Sequence, residues 1–436
     1  MVRIGPMASP KSLLDRRELL AGLGAATLTP IWPAAGLAQG RPALVLQAKA
    51  DGLALRPGAP ATPIWSLQGP ELSFKRGDAA EIAFGNELPV PAVLDWRGID
   101  GVPAAEPLTT RAPLAAGGKE AWQLPLRHAG TFLCDPGLLG DGQARPFRAR
   151  PLIVLESDKV EVDRDEVLLI EEWRLRPDGT AIPPGVEPKD TIAVYTVNGQ
   201  TSYELSASAH QRLRLRFINA SQRTVLAFKL ENHDVRVMAI DGEPAEPFPA
   251  RNGALVLAPG GRADAFVDAL VSAPILLHDG KDARPIGKLT IAGEMLRRAP
   301  LPPAPALPSN GLPAQLDLRN ALRFDLPPGG PTDWGLPANF KASSPPAFRA
   351  KTGRTVVLAL TNRAAIATVF HLHGHHFRLL DRLDDGWKPF WLDTLAIEPG
   401  QTQRIAFSAE HAGRWLIESV ATDWAAPRLV RWYAVE

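Results

Sequence analysis

Four histidines crowd into ten residues of this chain, Thr368-Val369-Phe370-His371-Leu372-His373-Gly374-His375-His376-Phe377. Alternate side chains of a strand face one side. His371, His373 and His375 would therefore share a face, and His376 would take the other. Neutral imidazoles at that spacing can bind copper or zinc through their ring nitrogens. Two or three such ligands make a weak site. The same spacing suits a hydrogen-bonded patch buried between domains, because a buried imidazole must find partners.

No other residue type offers comparable chemistry. His128, His210, His233, His278 and His411 are scattered, and turn or surface roles are expected for them. Asp381, Asp384 and Asp385 precede Gly386 and read as a solvated turn. Arg212-Leu213-Arg214-Leu215-Arg216 alternates charge with apolar residues, the pattern of a half-exposed sheet face. The single cysteine, Cys134, excludes an intramolecular disulfide and reads as a small buried thiol. No nucleophile elbow, phosphate loop or zinc-protease helix stands out.

The elements that must position the histidines read as strands. With 436 residues the chain is long enough for two or three domains. Pro 43, Gly 37 and Trp 11 suit short strands joined by ordered turns, an all-β pattern. Ala80 to Phe84 alternates, and Pro151-Leu152-Ile153-Val154-Leu155 is a compact apolar run closing a first unit. Val197-Asn198-Gly199, Asp241-Gly242 and Ala258-Pro259-Gly260-Gly261 punctuate a second. Prolines crowd residues 296–315, a semi-extended linker, and a third unit follows. In the first and third units a strand ending at Asn precedes a chemically special stretch, and later a glycine-aromatic strand, Gly130-Thr131-Phe132 or Gly413-Arg414-Trp415. Three related β-sandwiches are expected.

Lys+Arg 48 against Asp+Glu 47 leaves +1, so no field favours nucleic acid or an anionic membrane. Asp15-Arg16-Arg17-Glu18-Leu19-Leu20, an apolar run to Ile31 and small residues to Ala38 look like a twin-arginine signal over residues 1–38. Periplasmic location is then expected, with no transmembrane span in the mature protein.

The histidine-rich run is similar to the third-domain motif of multicopper oxidases. The resemblance extends through Phe74 to Gly77, Val197 to Gly199, Arg214 to Ala220, Asp241-Gly242, Ala258 to Arg262 and Gly413 to Leu416. It implies three cupredoxin-like Greek-key domains over 39–156, 157–295 and 316–436. It also implies four His-x-His pairs for a trinuclear copper cluster, and a type 1 copper held by two His, a Cys and often a Met. His371 and His373 match one pair. The first domain-one pair falls on Asp95 and Arg97, between which stands Trp96, and the second falls on Asp135 and Gly137. The type 1 histidine three residues before His371 is Thr368, and the His-Cys-His triplet falls on Glu418-Ser419-Val420. The later His and axial Met fall on Trp424 and Leu429.

On those positions the expectation is a degenerate member similar to the SufI type, a non-catalytic periplasmic scaffold contacting envelope or division proteins. It would be a monomer with no resident cofactor, copper entering at most at one residual site of His371, His373 and His375. Arg97 facing that site would repel a cation, while Asp95 and Asp135 would pair with Arg97 or with a protonated histidine. The alternatives are an oxidoreductase with a mononuclear copper centre at His371 and His373, or a copper-binding protein without turnover.

Overall fold

Alternation of apolar and polar side chains sets the sheets: along Ala79–Asn86 every second residue is buried, Ile82 and Phe84 among them. The computed structural model describes residues 43–436 apart from 298, 300, 331, 332, 382–385 and 387. The expected signal over 1–38, and Asp384 and Asp385, lie outside the described residues.

Among the described residues the strands form six sheets. Three apolar cores each lie between two of them and draw on successive stretches of chain. The first runs from Leu46 to Val154, the second from Leu168 to Leu289, and the third from Leu326 to Val435. Each stretch mixes antiparallel hairpins with parallel neighbours, such as Leu44–Leu53 with Ala79–Asn86, Arg164–Leu175 with Arg212–Asn219, and Leu322–Asp325 with Thr355–Thr361. A parallel neighbour requires a crossover to the opposite sheet, and here it produces the Greek-key sandwich. The all-β expectation holds, and among the described residues no helix is long and apolar enough to cross a membrane.

One expectation fails in an informative way. All eight residues of Arg212–Asn219 are buried, so the arginine face is no half-exposed surface. Acidic partners make that possible. Arg214 places Nη2 2.6 Å from Asp264 Oδ2, and Arg216 donates to Asp165 Oδ1 at 2.6 Å and to Thr131 Oγ1 at 2.8 Å. Thr131 belongs to Gly130–Asp135 of the first stretch and itself donates to Asp264 Oδ1 at 2.5 Å. The face that reads as solvent-facing is covered by another sandwich through charge-assisted hydrogen bonds.

The proline-rich segment is likewise pinned. Asn310 receives the Ala129 N–H at 2.9 Å and returns a bond to the Ala129 carbonyl at 2.8 Å, while Leu307 is buried.

Removing one partner from a buried charge network strands the others. Asp264→Asn is expected to lower stability by about 3 kcal/mol or more, read by urea denaturation at neutral pH. A loss below about 1 kcal/mol, the range of an exposed pair, would show that the arginine face does not depend on it.

Candidate metal centre

His371 lies on the buried strand Thr368–Leu372, which pairs on one side with Thr394–Ile397 and on the other with Gly413–Ala421, placing Glu418 directly opposite His371. Asp95–Arg97 and Gly130–Asp135 pair so that Asp95 faces Asp135. The two sheets meet here. One ligand atom each from Asp95, His371, His373 and Glu418 all lie within 4.8 Å of one another, and the four residues are buried. Among the described residues no other group of three or more His, Cys, Asp or Glu gathers in this way.

The two histidines are held differently. His371 Nδ1 lies 2.9 Å from Thr394 Oγ1 and 3.1 Å from the Asp393 carbonyl. Thr394 Oγ1 donates to Asp393 Oδ1 at 2.7 Å, so its remaining role is to accept from His371 Nδ1–H. That fixes the proton on Nδ1 and leaves the Nε2 lone pair for the centre, the tautomer of a metal-binding histidine. Burial, then the positive charge of Arg97, hold His371 below its ordinary pKa and hence neutral.

His373 instead faces carboxylates through both nitrogens, Nδ1 3.1 Å from Glu106 Oε1 and Nε2 2.9 Å from Glu418 Oε1. Burial pushes its pKa down, but Glu106 and Asp95 overcome this and hold it well above the ordinary value. It is an imidazolium at neutral pH and must release a proton to become a ligand.

Arg97 completes the arrangement. Its Nη2 donates to both Glu418 oxygens, at 2.7 and 3.0 Å, and its Nε lies 3.1 Å from Asp95 Oδ2 and 3.7 Å from Asp135 Oδ2. Arg428 donates to the other side of Glu418. Burial works to raise the Glu418 pKa, but Arg97 and Arg428 hold it well below the usual carboxylate range. Asp95 responds the other way, its pKa raised by burial against the pull of His373 and Arg97.

His375 departs from the two-residue period. The strand ends at Leu372, and Gly374 has φ +74°, where a Cβ would stand 2.2 Å from Trp415. The chain turns, and His375 Nδ1 sits 2.7 Å from Tyr433 Oη while Nε2 accepts the His411 N–H at 3.1 Å. Both nitrogens are used, so His375 does not join the centre, and burial lowers its pKa to about 3. His376 lies 2.7 Å from Asp100 through Nδ1 and donates through Nε2 to the Asp241 carbonyl at 2.8 Å. Burial opposes its charge, yet Asp100 raises its pKa to about 10.

The other positions that the resemblance singled out are packed into the fold. Thr368 donates to Asn362 Oδ1 at 3.2 Å, Ser419 and Val420 are buried, and Leu429 pairs with Ser419. Trp424 donates to the Pro183 carbonyl at 2.9 Å. Asp135 Oδ1 accepts the Gly137 N–H at 2.7 Å. Cys134 belongs to the first apolar core, and burial raises its pKa well above the ordinary value, as a small inert thiol requires.

Comparison with known proteins gives this architecture its family. Models described as multicopper oxidase match residues 159–274 and 315–436. The chain belongs to the multicopper-oxidase family. It is 23% identical over 416 residues to the multicopper oxidase MmcO of Mycobacterium tuberculosis, covering 81% of this chain and 78% of that protein. It is 28% identical over 234 residues to laccase-7 of Arabidopsis thaliana, an alignment spanning 47% of this chain and 39% of the laccase. Among solved structures, a multicopper oxidase of Pseudomonas thermotolerans superposes with TM-score 0.76 at 24% identity, over 90% of this chain and 98% of that one. Lac15 from a marine microbial metagenome superposes with TM-score 0.74 at 25% identity, over 90% of this chain and all of that one, 100%.

These likenesses correct one expectation. A chain without a resident cofactor was expected, and the family and its structural neighbours point to copper instead. Nor do they support the leaning towards a non-enzyme; oxidoreductase chemistry on this scaffold would be copper chemistry. The donor set can be tested against that ion. Two imidazoles and two carboxylates, one imidazole already presenting a free lone pair, suit a single divalent ion of borderline softness. Asp95 Oδ2 is buried and ion-paired with Arg97 at 3.1 Å but accepts no hydrogen bond, so it keeps a lone pair that a metal could use.

Sequence reasoning missed Glu106, Asp393, Arg262 and Arg428. Arg262 grips Asp393 through two bonds of 3.0 and 2.6 Å, and Asp393 in turn orients Thr394 behind His371. Arg262 lay within the stretch that carried the family resemblance, which was its only signal. The others stand alone in their segments.

Opposite pH limbs follow from His375 and His376. Neutral His375 contributes stability that is present above 6.5 and lost as pH falls toward about 3. Charged His376 contributes stability that is present below 6.5 and lost as pH rises through about 10. In urea unfolding across pH, His375→Gln is expected to flatten the acid limb and His376→Gln the alkaline one. Each limb steepens by up to about 1.4 kcal/mol per pH unit. Unchanged limbs in both variants would contradict the assigned charge states.

Proposed function

We propose that this chain is a copper-binding member of the multicopper-oxidase family that holds its metal at one centre and works by binding rather than by reducing dioxygen to water. His371, His373, Asp95 and Glu418 would hold the ion, which when bound supplies a positive charge joining the strands that carry them. The observation that carries the reading is the Arg97 guanidinium, donating to both oxygens of Glu418 inside the centre. A guanidinium is a permanent cation. It leaves no place beside it for a cluster of three further cations.

The electron path supports the same reading. Reduction of dioxygen to water takes four electrons, stored on several coppers and delivered through a cysteine-histidine bridge. Thr368, Ser419, Trp424 and Leu429 stand at the positions of the family's type 1 ligands, and none is an imidazole or a thiol. The only cysteine, Cys134, packs in the first apolar core. Export to the periplasm and contact with envelope or division proteins belong to the same proposal, the first resting on the twin-arginine pattern that begins Asp15-Arg16-Arg17 and the second on the resemblance to the SufI type.

Elemental analysis of untagged mature protein, with an absorption spectrum and a phenol-oxidation assay, tests this. The expected result is one copper per chain, lost in the double variant His371→Ala, His373→Ala, with no blue thiolate band and no turnover. Four coppers per chain, or phenol oxidation abolished by His371→Ala, would overturn it.

A further inference from the structure

Asp95 and Glu418 belong to two sets at once. They are half of the four-residue donor group, and they are also carboxylates that hold Arg97. The guanidinium lies 2.7 Å from Glu418 Oε1 and 3.1 Å from Asp95 Oδ2, the distances at which it uses the charge a metal would use. Two cations on the same buried oxygens repel strongly, because little solvent screens them. The contact to Asp95 is nevertheless incomplete, since Oδ2 has no hydrogen bond.

An alternative resting place lies next to it. Asp135 stands opposite Asp95 in register, with Oδ2 3.7 Å from Arg97 Nε and its other oxygen fixed by the Gly137 N–H. Beside them is a cavity of about 20 Å³, near the volume of one water, lined by Arg97, Asp135, Gln222, Gly260 and Arg428 among others. Gly260 contributes the room, since a Cβ there would meet Arg97 Nη1 at 3.2 Å.

We propose that Arg97 is an internal competitor for the metal: its guanidinium occupies the carboxylate side of the centre, and a divalent ion binds as that guanidinium shifts toward Asp135. The inference rests on the single-centre reading above and makes that centre responsive to metal rather than permanently filled. Without metal, Arg97 and Glu418 join Asp95–Arg97 to Gly413–Ala421; with metal, the ion joins the same strands. Imidazole and carboxylate donors select Cu²⁺ or Zn²⁺, whereas Cu⁺ prefers the thiolate and thioether ligands that the centre lacks.

The test is calorimetric titration of the chelator-stripped full chain with Zn²⁺ and with Cu²⁺, for wild type, Arg97→Gln, Arg97→Lys and Asp135→Asn. Arg97→Gln is expected to bind about ten-fold tighter or more, the effect of removing one close like charge. Arg97→Lys keeps the charge and should stay near wild type. Asp135→Asn should weaken binding in wild type and have no effect in an Arg97→Gln background. Equal affinity in wild type and Arg97→Gln would overturn the competition while leaving the single centre standing. Absence of binding in both would instead bring down the single-centre reading, and the competition with it. Should Arg97→Gln be unfolded when stripped, refolding on added Zn²⁺ supports the proposal and failure to refold rejects it.

Discussion

The bond between Arg97 and Glu418 joins the first stretch of chain to the third, and much of the surrounding structure exists to make it tolerable. Each of these charges is buried, and burying an unpaired charge costs several kcal/mol. The cost is met by neighbours. Arg428 takes the far side of Glu418, Asp95 and Asp135 flank Arg97, and His373 bridges Glu418 to Glu106. Burial opposes the charge on Arg97, yet Glu418 and Asp95 hold it more firmly protonated than usual. A buried array of ion pairs thus joins strands of the first and third sandwiches.

The same physics recurs along the other interfaces. Arg262 reaches Asp393 of the third stretch while its Nε donates to the Thr131 carbonyl of the first, at 3.2 Å. Gly98, at φ +89°, makes this approach possible, since a Cβ there would stand 2.4 Å from Arg262 Nη2. Arg214 and Arg216 converge on Asp264 of the neighbouring strand, and Thr131 of the first stretch joins them by accepting from Arg216 and donating to Asp264. Such pairs are directional and contribute little if misaligned, so they specify how the sandwiches meet as much as how strongly. His371 keeps a metal-ready tautomer because Arg262, through Asp393 and Thr394, fixes it.

How much of this is legible in sequence follows from how local each feature is. The all-β class and the His371 and His373 pair depend on alternation and on turn residues, which lie within a few positions of each other. His375 was misplaced because one glycine with positive φ ended the alternation, and sequence spacing carries no dihedral angle. Arg212, Arg214 and Arg216 are misread because alternating charge looks the same whether water covers it or carboxylates of the flanking strands and Thr131 of the first stretch do. Glu106 and Asp393 carry no local signal, since Glu106 meets His373 and Asp393 meets Arg262 only when distant segments come together, and Arg428 reaches Glu418 only through the pairing of Gly413–Ala421 with Arg428–Val435. The expectation of no cofactor weighed missing ligands one position at a time. It undervalued Asp95 and Glu418 as donors in their own right, and the family comparison points to copper.

The proposed interdomain centre takes one ion between the imidazoles of His371 and His373 and the carboxylates of Asp95 and Glu418. Electron paramagnetic resonance of the copper-loaded full chain tests it most directly. The account predicts that every bound copper contributes to one mononuclear Cu²⁺ signal with nitrogen and oxygen ligation. A spin count well below the copper content, the mark of coupled coppers, or a thiolate-coordinated signal would contradict it.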